Sequence, residues 1–411
     1  GGQCSWGKPD LNAACDAEPR TDDRRVEAVS PAGSYHPLYY TLVGWPSRIL
    51  SGGSGVYAMR FVSAAICALL LSAAYCSLRR LVGRPVAAMG LTVALTPVAF
   101  YLGGIVNPNG VEVAAGILTW CAALRVFCDW DVTRRPAWPG VVSLVAGCAF
   151  LANGRAVGAV FAVAILVLAL ATAGWSRVRP MVTDRRAWAL VGALLVAGVP
   201  SLIWLAFNPV VIVPIPGSPP GQNEIVTLVG MVDDWQRQQV AMLGWNDTGP
   251  VTVAVVAWSI AGSLLLGTVL MFARRRMIIS LGAAIAVALL LPFALLIPTM
   301  DSIGPVWMGR YGLAFNAGLP ILAVVATRGM IPWLRARPIA LGCAVLCTLG
   351  MAAAQFSWLH RNAVGSAGPL PFWEWNGWAP PVPAVLLLLT TLAVPVAAFC
   401  VAAAQRGTGD V

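Results

Sequence analysis

YAMRFVSAAICALLLSAAYCSLRR, residues 57–80, decides the fold: it carries no acid, shows no period-two alternation, and closes on a pair of arginines. A stretch of roughly 20 apolar residues matches the ~30 Å hydrocarbon core of a bilayer, which only helices or closed barrels cross without stranding backbone groups. Continuous apolarity excludes a barrel strand, whose faces alternate. Ten further stretches read the same way. Eleven spans are therefore expected, at about 57–78, 85–104, 110–128, 139–152, 156–174, 187–206, 250–273, 277–298, 310–327, 338–358 and 382–404. The fourth is short enough to be re-entrant. The expected fold class is all-α, a polytopic transmembrane helical bundle.

Between these stretches the arginines fall mostly on alternate connections: Arg79, Arg80 and Arg84, then Arg134 and Arg135, Arg185 and Arg186, the triplet Arg274 to Arg276, and Arg335 with Arg337. The positive-inside rule makes that side cytoplasmic, in a bacterial plasma membrane. The N-terminus of this chain is then outside and its C-terminus inside. The division that follows is an outer loop over 1–56 with an aromatic end segment and a first group of spans over 57–206. A second outer loop over 207–249 holds an amphipathic interface helix, and a second group of spans over 250–404 precedes a cytoplasmic tail over 405–411. An outer segment of about 56 residues needs a helix upstream to carry it across. A twelfth span with both ends in the cytoplasm is thus expected of the intact protein.

Of the 411 residues 58% are hydrophobic and 11% charged, which leaves no stretch from which a soluble domain could be drawn. The net charge of +10 reports topology, and no nucleic-acid partner is read from it. Lys8 is the only lysine among many arginines, and Ala, Val, Leu and Gly dominate, a composition typical of GC-rich bacterial coding. Eight of the ten cysteines lie in or beside spans, where a thiol acts as a small apolar residue. Cys4 and Cys15 share the first outer loop, where an oxidising compartment permits a disulfide. No CxxC or His/Cys spacing points to a metal.

Candidate chemistry lies in the outer connections. His36, Tyr39 and Tyr40 stand in the run Ser34 to Tyr40 just before the first span. The tyrosines read either as an interfacial belt or as substrate contacts, and an imidazole serves as base or phosphate partner near neutral pH. Asn107-Pro108-Asn109-Gly110 is turn chemistry, with Asn109 placed to cap the next helix. Glu112, one turn inside that helix, is costly in a bilayer unless paired or functional. Arg155, between the short fourth span and the fifth, snorkels to the surface or binds an anion. The loop over 207–249 opens with a Pro-rich run, Pro214 to Pro220. It continues into a helix with Ile225, Leu228, Val232 and Trp235 on one face, a candidate interfacial lid. Gly244-Trp245-Asn246-Asp247-Thr248 ends that loop, with Asp247 and Thr248 able to cap the following span. Asp301 and the run Trp307 to Tyr311 close the set. Arg310 is the cation best suited to a phosphate, with Tyr311 adding a hydroxyl.

The HPLYY segment, VNPNGVEVAAG, LGWNDT and WMGRYGLAFNAGLP stand in one order along the chain. Together they resemble the actinobacterial branch of the domain-of-unknown-function family 2142, from Cys4 to about Val325. The family comprises multi-pass membrane proteins without an assigned reaction, and its layout is similar to that of GT-C class glycosyltransferases. That resemblance implies transfer of a polyprenyl-phosphate-linked sugar to a glycan or lipid acceptor at the outer face, with membrane lipids as partners. In GT-C enzymes an acid early in the first outer loop acts as base or holds a divalent cation. The segment that carries it in this family precedes Gly1, so this chain alone is expected to be inactive as a transferase. Asp247 and Glu112 are then supporting carboxylates, while His36, Tyr39, Tyr40, Asn107, Asn109, Arg155, Trp245, Arg310 and Tyr311 are substrate contacts. A non-catalytic envelope assembly protein is the main alternative. A lipid or polysaccharide transporter is another, disfavoured by span cores nearly bare of charge.

Overall fold

The computed structural model describes residues 4–5, 7–16, 31–133, 138–208, 224–244, 246–248, 251–300, 304–331, 333–370 and 378–404, and among them every regular element is helical. A short helix α1 (Leu38–Gly44) leads into the long α2 (Gly52–Val82), which stops at Gly83, where φ is +86°. Only glycine accepts that backbone cheaply. The second expected span is broken into α3 (Arg84–Ala94) and α4 (Pro97–Gly103), bent by 81°. The reason is local. Thr96 caps α4 by accepting from the Ala99 amide, and Pro97 in the first turn has no N–H with which to continue the α3 ladder.

Next come α5 (Pro108–Cys128), α6 (Trp138–Ala152) and α7 (Gly158–Ala173). α7 turns by 110° at Gly174 into the short α8 (Trp175–Thr183). The chain continues through α9 (Arg185–Phe207), α10 (Glu224–Val240), α11 (Thr252–Phe272), α12 (Arg275–Leu296), α13 (Gly309–Asn316), α14 (Gly318–Ala326), α15 (Trp333–Val364) and α16 (Ala384–Ala404). The eleven apolar stretches are thus mostly helical over their described residues, the second being interrupted at Leu95 and Thr96. Among the described residues seven helices, or nine if each bent pair counts as one span, are long and apolar enough to cross a membrane. That measure does not confirm the expected count of eleven. α6, for example, has 15 residues and rises about 22 Å, short of a ~30 Å hydrocarbon core.

α5 is the central helix, buried from Pro108 to Leu124. Glycines let its neighbours approach: Gly116 lies under the Ala314 carbonyl and Gly147 of α6 against Thr119, while Gly318 sits on the Trp120 indole. Close backbone contact through small residues supplies the packing that hydrophobicity cannot supply between helices in lipid. The Trp120 indole N–H donates to the Phe315 carbonyl at 3.0 Å, so α5 and α13 are also keyed by a hydrogen bond. The outer helices expose apolar side chains instead, such as Leu195, Val196 and Leu202 on α9 and Leu270 and Met271 on α11.

α10 differs from its sequence reading. Leu228 and Trp235 are buried, but Ile225 of the same expected face is 56% exposed. Thr96 donates to the Gln239 carbonyl at 2.7 Å, Asn316 to the Gln239 side chain at 2.6 Å, and the Gly309 amide to Gln238 at 2.6 Å. These bonds fasten α10 to α4 and α13.

Polar contacts gather at the two ends of the bundle. One end holds Arg328 with Asp129 at 3.2 Å and Arg186 with Asp184 at 2.8 Å. The alternating helices deliver the described candidate residues to the other.

Candidate functional site

Two arginine clusters form this polar end. The first is built on the start of α5. Asn107, in an extended conformation, caps the helix by accepting from the Asn109 amide at 2.9 Å. The cap is therefore Asn107 and not Asn109 as expected. Asn109 instead accepts from Arg155 at 2.8 Å. Glu112, 2% exposed, places a carboxylate oxygen 3.9 Å from the same guanidinium. Arg155 stacks on Tyr311, 4.0 Å from the ring centroid, and faces Tyr35 at 5.5 Å. Its side chain is 14% exposed, so it does not snorkel. A buried guanidinium matched by a carboxylate, an amide and two aromatic faces acts as a fixed post. Trp307 supports Tyr311 edge-to-face at 5.8 Å.

The aromatic segment before α1 packs beside this post. Burial pushes the Tyr40 hydroxyl up from the ordinary tyrosine value, with Tyr35 adding to the shift and Arg155 opposing it. Tyr39 is pushed up to about 12, chiefly by burial, and its hydroxyl is taken by Ser63 at 3.1 Å. It joins α1 to α2. His36 accepts from the Leu38 amide through Nδ1 at 3.2 Å and meets Trp204 edge-to-face at 5.8 Å. Burial holds its imidazole below the ordinary histidine value.

The second cluster forms around the loop after α10. Gly244 has φ +68° and Asn246 has φ +64°, a left-handed conformation uncommon for a residue with a side chain and concentrated at functional sites. The Thr248 hydroxyl closes this turn, donating to the Leu243 carbonyl at 2.8 Å and accepting from its amide at 3.0 Å. Val251 occupies the N-cap position of α11, so the capping role expected of Asp247 and Thr248 is not found. Asp247 turns away to pair with Arg361 at 2.9 Å, and Arg361 also donates to the Ser5 carbonyl at 2.8 Å. Arg310, 8% exposed, donates to the Gly244 carbonyl at 3.2 Å and touches the Met308 sulfur at 3.1 Å. Tyr101 lies within electrostatic reach of Arg310, Asp247, Arg60 and Arg361, and meets Trp358 edge-to-face at 5.1 Å. Two buried guanidiniums thus stand on one loop, Arg361 paired with Asp247 and Arg310 bound to the Gly244 carbonyl.

The N-terminal loop roofs this cluster. Cys4 and Cys15 form a disulfide, and Asp16 binds the Ser5 amide and hydroxyl at 3.1 and 2.8 Å. Ser366 donates to the Pro9 carbonyl, fixing the loop to the end of α15. The described residues bring Cys4, Cys15 and Asp16 within ligand distance of one another, but the disulfide removes both thiolates as metal ligands. Asp247 faces guanidiniums, a donor set that does not suit a divalent cation.

Trp245, Asp301 and the Pro214 to Pro220 run lie outside the described residues. Arg361, Tyr101 and Trp358 are the additions that sequence reading missed. The polar triplet His360-Arg361-Asn362, directly after the tenth apolar stretch, was the available signal.

The family model "Predicted membrane protein (DUF2142)" matches residues 1–319. No curated protein matches this chain in sequence. Among solved structures, the crystal structures of ArnT from Cupriavidus metallidurans bound to undecaprenyl phosphate and in the apo state are similar. Each is 15% identical with a TM-score of 0.45, covering 90% of this chain. The chain spans 65% of the length of ArnT.

Proposed function

Because this chain belongs to the DUF2142 family of predicted membrane proteins, we propose that its polar end is an outer-face site, GT-C-like in layout, that transfers a sugar from a polyprenyl-phosphate carrier. The orientation rests on the arginine-rich connections at the opposite end of the bundle. One observation carries the chemistry: two buried guanidiniums converge on one short loop, Arg361 on the Asp247 carboxylate and Arg310 on the Gly244 carbonyl. Guanidinium groups held together away from water suit a phosphate anion, which arginine binds through paired, geometrically fixed hydrogen bonds.

In the proposed reaction the acceptor oxygen attacks the anomeric carbon. The bond from that carbon to the phosphate oxygen breaks, and the acceptor proton passes to a carboxylate base, with Asp247 in a supporting role. Negative charge grows on the departing polyprenyl phosphate, so fixed cations stabilise the transition state more than the bound donor. Most of the rate is assigned to that charge stabilisation. Glu112 supports the site by fixing Arg155, whose stacked guanidinium holds Tyr311 in place. His36, Tyr40, Asn109 and Trp245 are assigned to orienting sugar or acceptor hydroxyls, while Asn107 and Tyr39 shape the site through the α5 cap and the α1–α2 contact.

The test is mass spectrometry of lipids that co-purify with the full-length protein, wild type against Arg310→Ala and Arg361→Ala. Polyprenyl phosphate or its glycosylated form in the wild type, reduced at least about tenfold in either variant, is the expected result, a loss equivalent to ~1.4 kcal/mol or more. Bulk phospholipid alone in all three samples removes the donor and leaves an envelope assembly role.

A further inference from the structure

A second recess opens beside this site. Between α11 and α12, beneath α10, lies a cavity of about 440 Å³. Its walls are largely apolar, including Trp258, Leu265, Ile285 and Leu313, and the polar residues of its mouth are Asp233, Gln236, Arg237 and Ser259; Thr96, Gln239 and Asn316 also line it but are bonded to one another. Leu266 and Leu289 line it and are also exposed on the outside of the bundle, so the cavity opens sideways toward the bilayer. An occupant arriving from that direction is an amphiphile, with its chain along the walls and its head beneath α10.

The mouth selects the head. Lipid tails are as apolar as leucine, so moving a chain from bilayer to cavity gains little by itself and the polar contacts decide which lipid stays. Asp233 and Arg237 form an ion pair at 2.6 Å, four residues apart on α10, and cancel each other. What remains is the Gln236 amide and the Ser259 hydroxyl. A charge-balanced mouth with an amide and a hydroxyl matches an uncharged head carrying hydroxyls and offers no surplus cation to a phosphate.

The two recesses share a helix. Arg310 and Tyr311 stand in the first turn of α13, and Leu313 and Asn316 of the same helix line the cavity. We propose that this cavity seats the chain of an uncharged, hydroxyl-bearing lipid, such as a glycosyl diacylglycerol, and that this lipid is the acceptor for the sugar. The acceptor role rests on the transferase reading, while the lipid seat stands on the cavity itself.

The experiment is photo-crosslinking of the full-length protein in nanodiscs with two chain-labelled diazirine probes, a monohexosyl diacylglycerol and a phosphatidylglycerol, followed by peptide mapping. Gly262 lines the cavity and has open space beyond its Cα, so Gly262→Phe fills the recess without a clash; Ile285→Trp does so from the α12 side. The expected result is labelling of α11 and α12 by the glycolipid probe, reduced about tenfold in either variant and unchanged in Arg310→Ala, a loss equivalent to ~1.4 kcal/mol of seating. Equal labelling by phosphatidylglycerol, or labelling untouched by both filling variants, overturns the proposal. Glycolipid labelling of this pattern in a protein that carries no polyprenyl phosphate upholds the seat and removes the acceptor role together with the transferase reading.

Discussion

At Arg361 a guanidinium whose side chain is 5% exposed holds a carboxylate that is 11% exposed, and the same group reaches the Ser5 carbonyl. Removing one partner of such a pair leaves the other charge buried without compensation, which costs about 3–5 kcal/mol. Arg361→Met is expected to lower the thermal unfolding temperature markedly. Arg361→Met combined with Asp247→Asn is expected to lose much less than the two single changes added together, because residues in one ion pair are not independent. Additive losses in the double variant would show that the pair is not coupled. Sequence reading found Asp247 and Arg310 but gave both to the solvent side of a span end. Their burial and the arrival of Arg361 depend on a loop whose Asn246 adopts a left-handed backbone, which the residue order LGWNDT permits without announcing.

α5 shows what an element conceals. It is apolar on all sides, so its periodicity names no facing partner, and such a helix reads equally as a lipid-facing span or as a central core helix. The structure makes it central, with glycines at its crossings. Gly116→Leu would drive a side chain into the Ala314 backbone carbonyl, where neither helix has a flexible end to give way. Overpacking of a tight core contact costs typically about 1–3 kcal/mol, so this variant is expected to unfold at a lower temperature and to express poorly. Gly192→Leu on α9, where open space surrounds the glycine, is the matched control and should leave the unfolding temperature near wild type. The break between α3 and α4 was more legible. Thr96-Pro97 is a cap followed by a first-turn proline, yet an apolar run that continues through both residues reads as one span. The polar clamp on α10 lay beyond sequence reading, since Gln238 and Gln239 look like solvent-facing residues of an amphipathic helix until Thr96, Gly309 and Asn316 are brought against them.

For the whole molecule, the arginine distribution predicts orientation as well as class. With the native unpaired cysteines replaced, a cysteine at Ser366 is expected to react with a membrane-impermeant maleimide in intact cells, and one at Thr133 only after the membrane is opened. The reverse pattern would invert the molecule and place the Arg310–Arg361 cluster on the cytoplasmic side. The sequence by itself determined that this is a helical membrane protein, where its apolar stretches lie, and which connections gather arginine. A bilayer imposes those properties along the chain: each span must be long and apolar enough in its own right, and each connection carries its own charge. Only the tertiary structure decided which charges meet. Arg361 binds Asp247 across 114 residues and Ser5 across 356, and Trp120 meets Phe315 across 195. Pairing at that separation is set by how helices pack side by side in the membrane plane, a dimension in which hydrophobicity is uniform and residue order carries no signal.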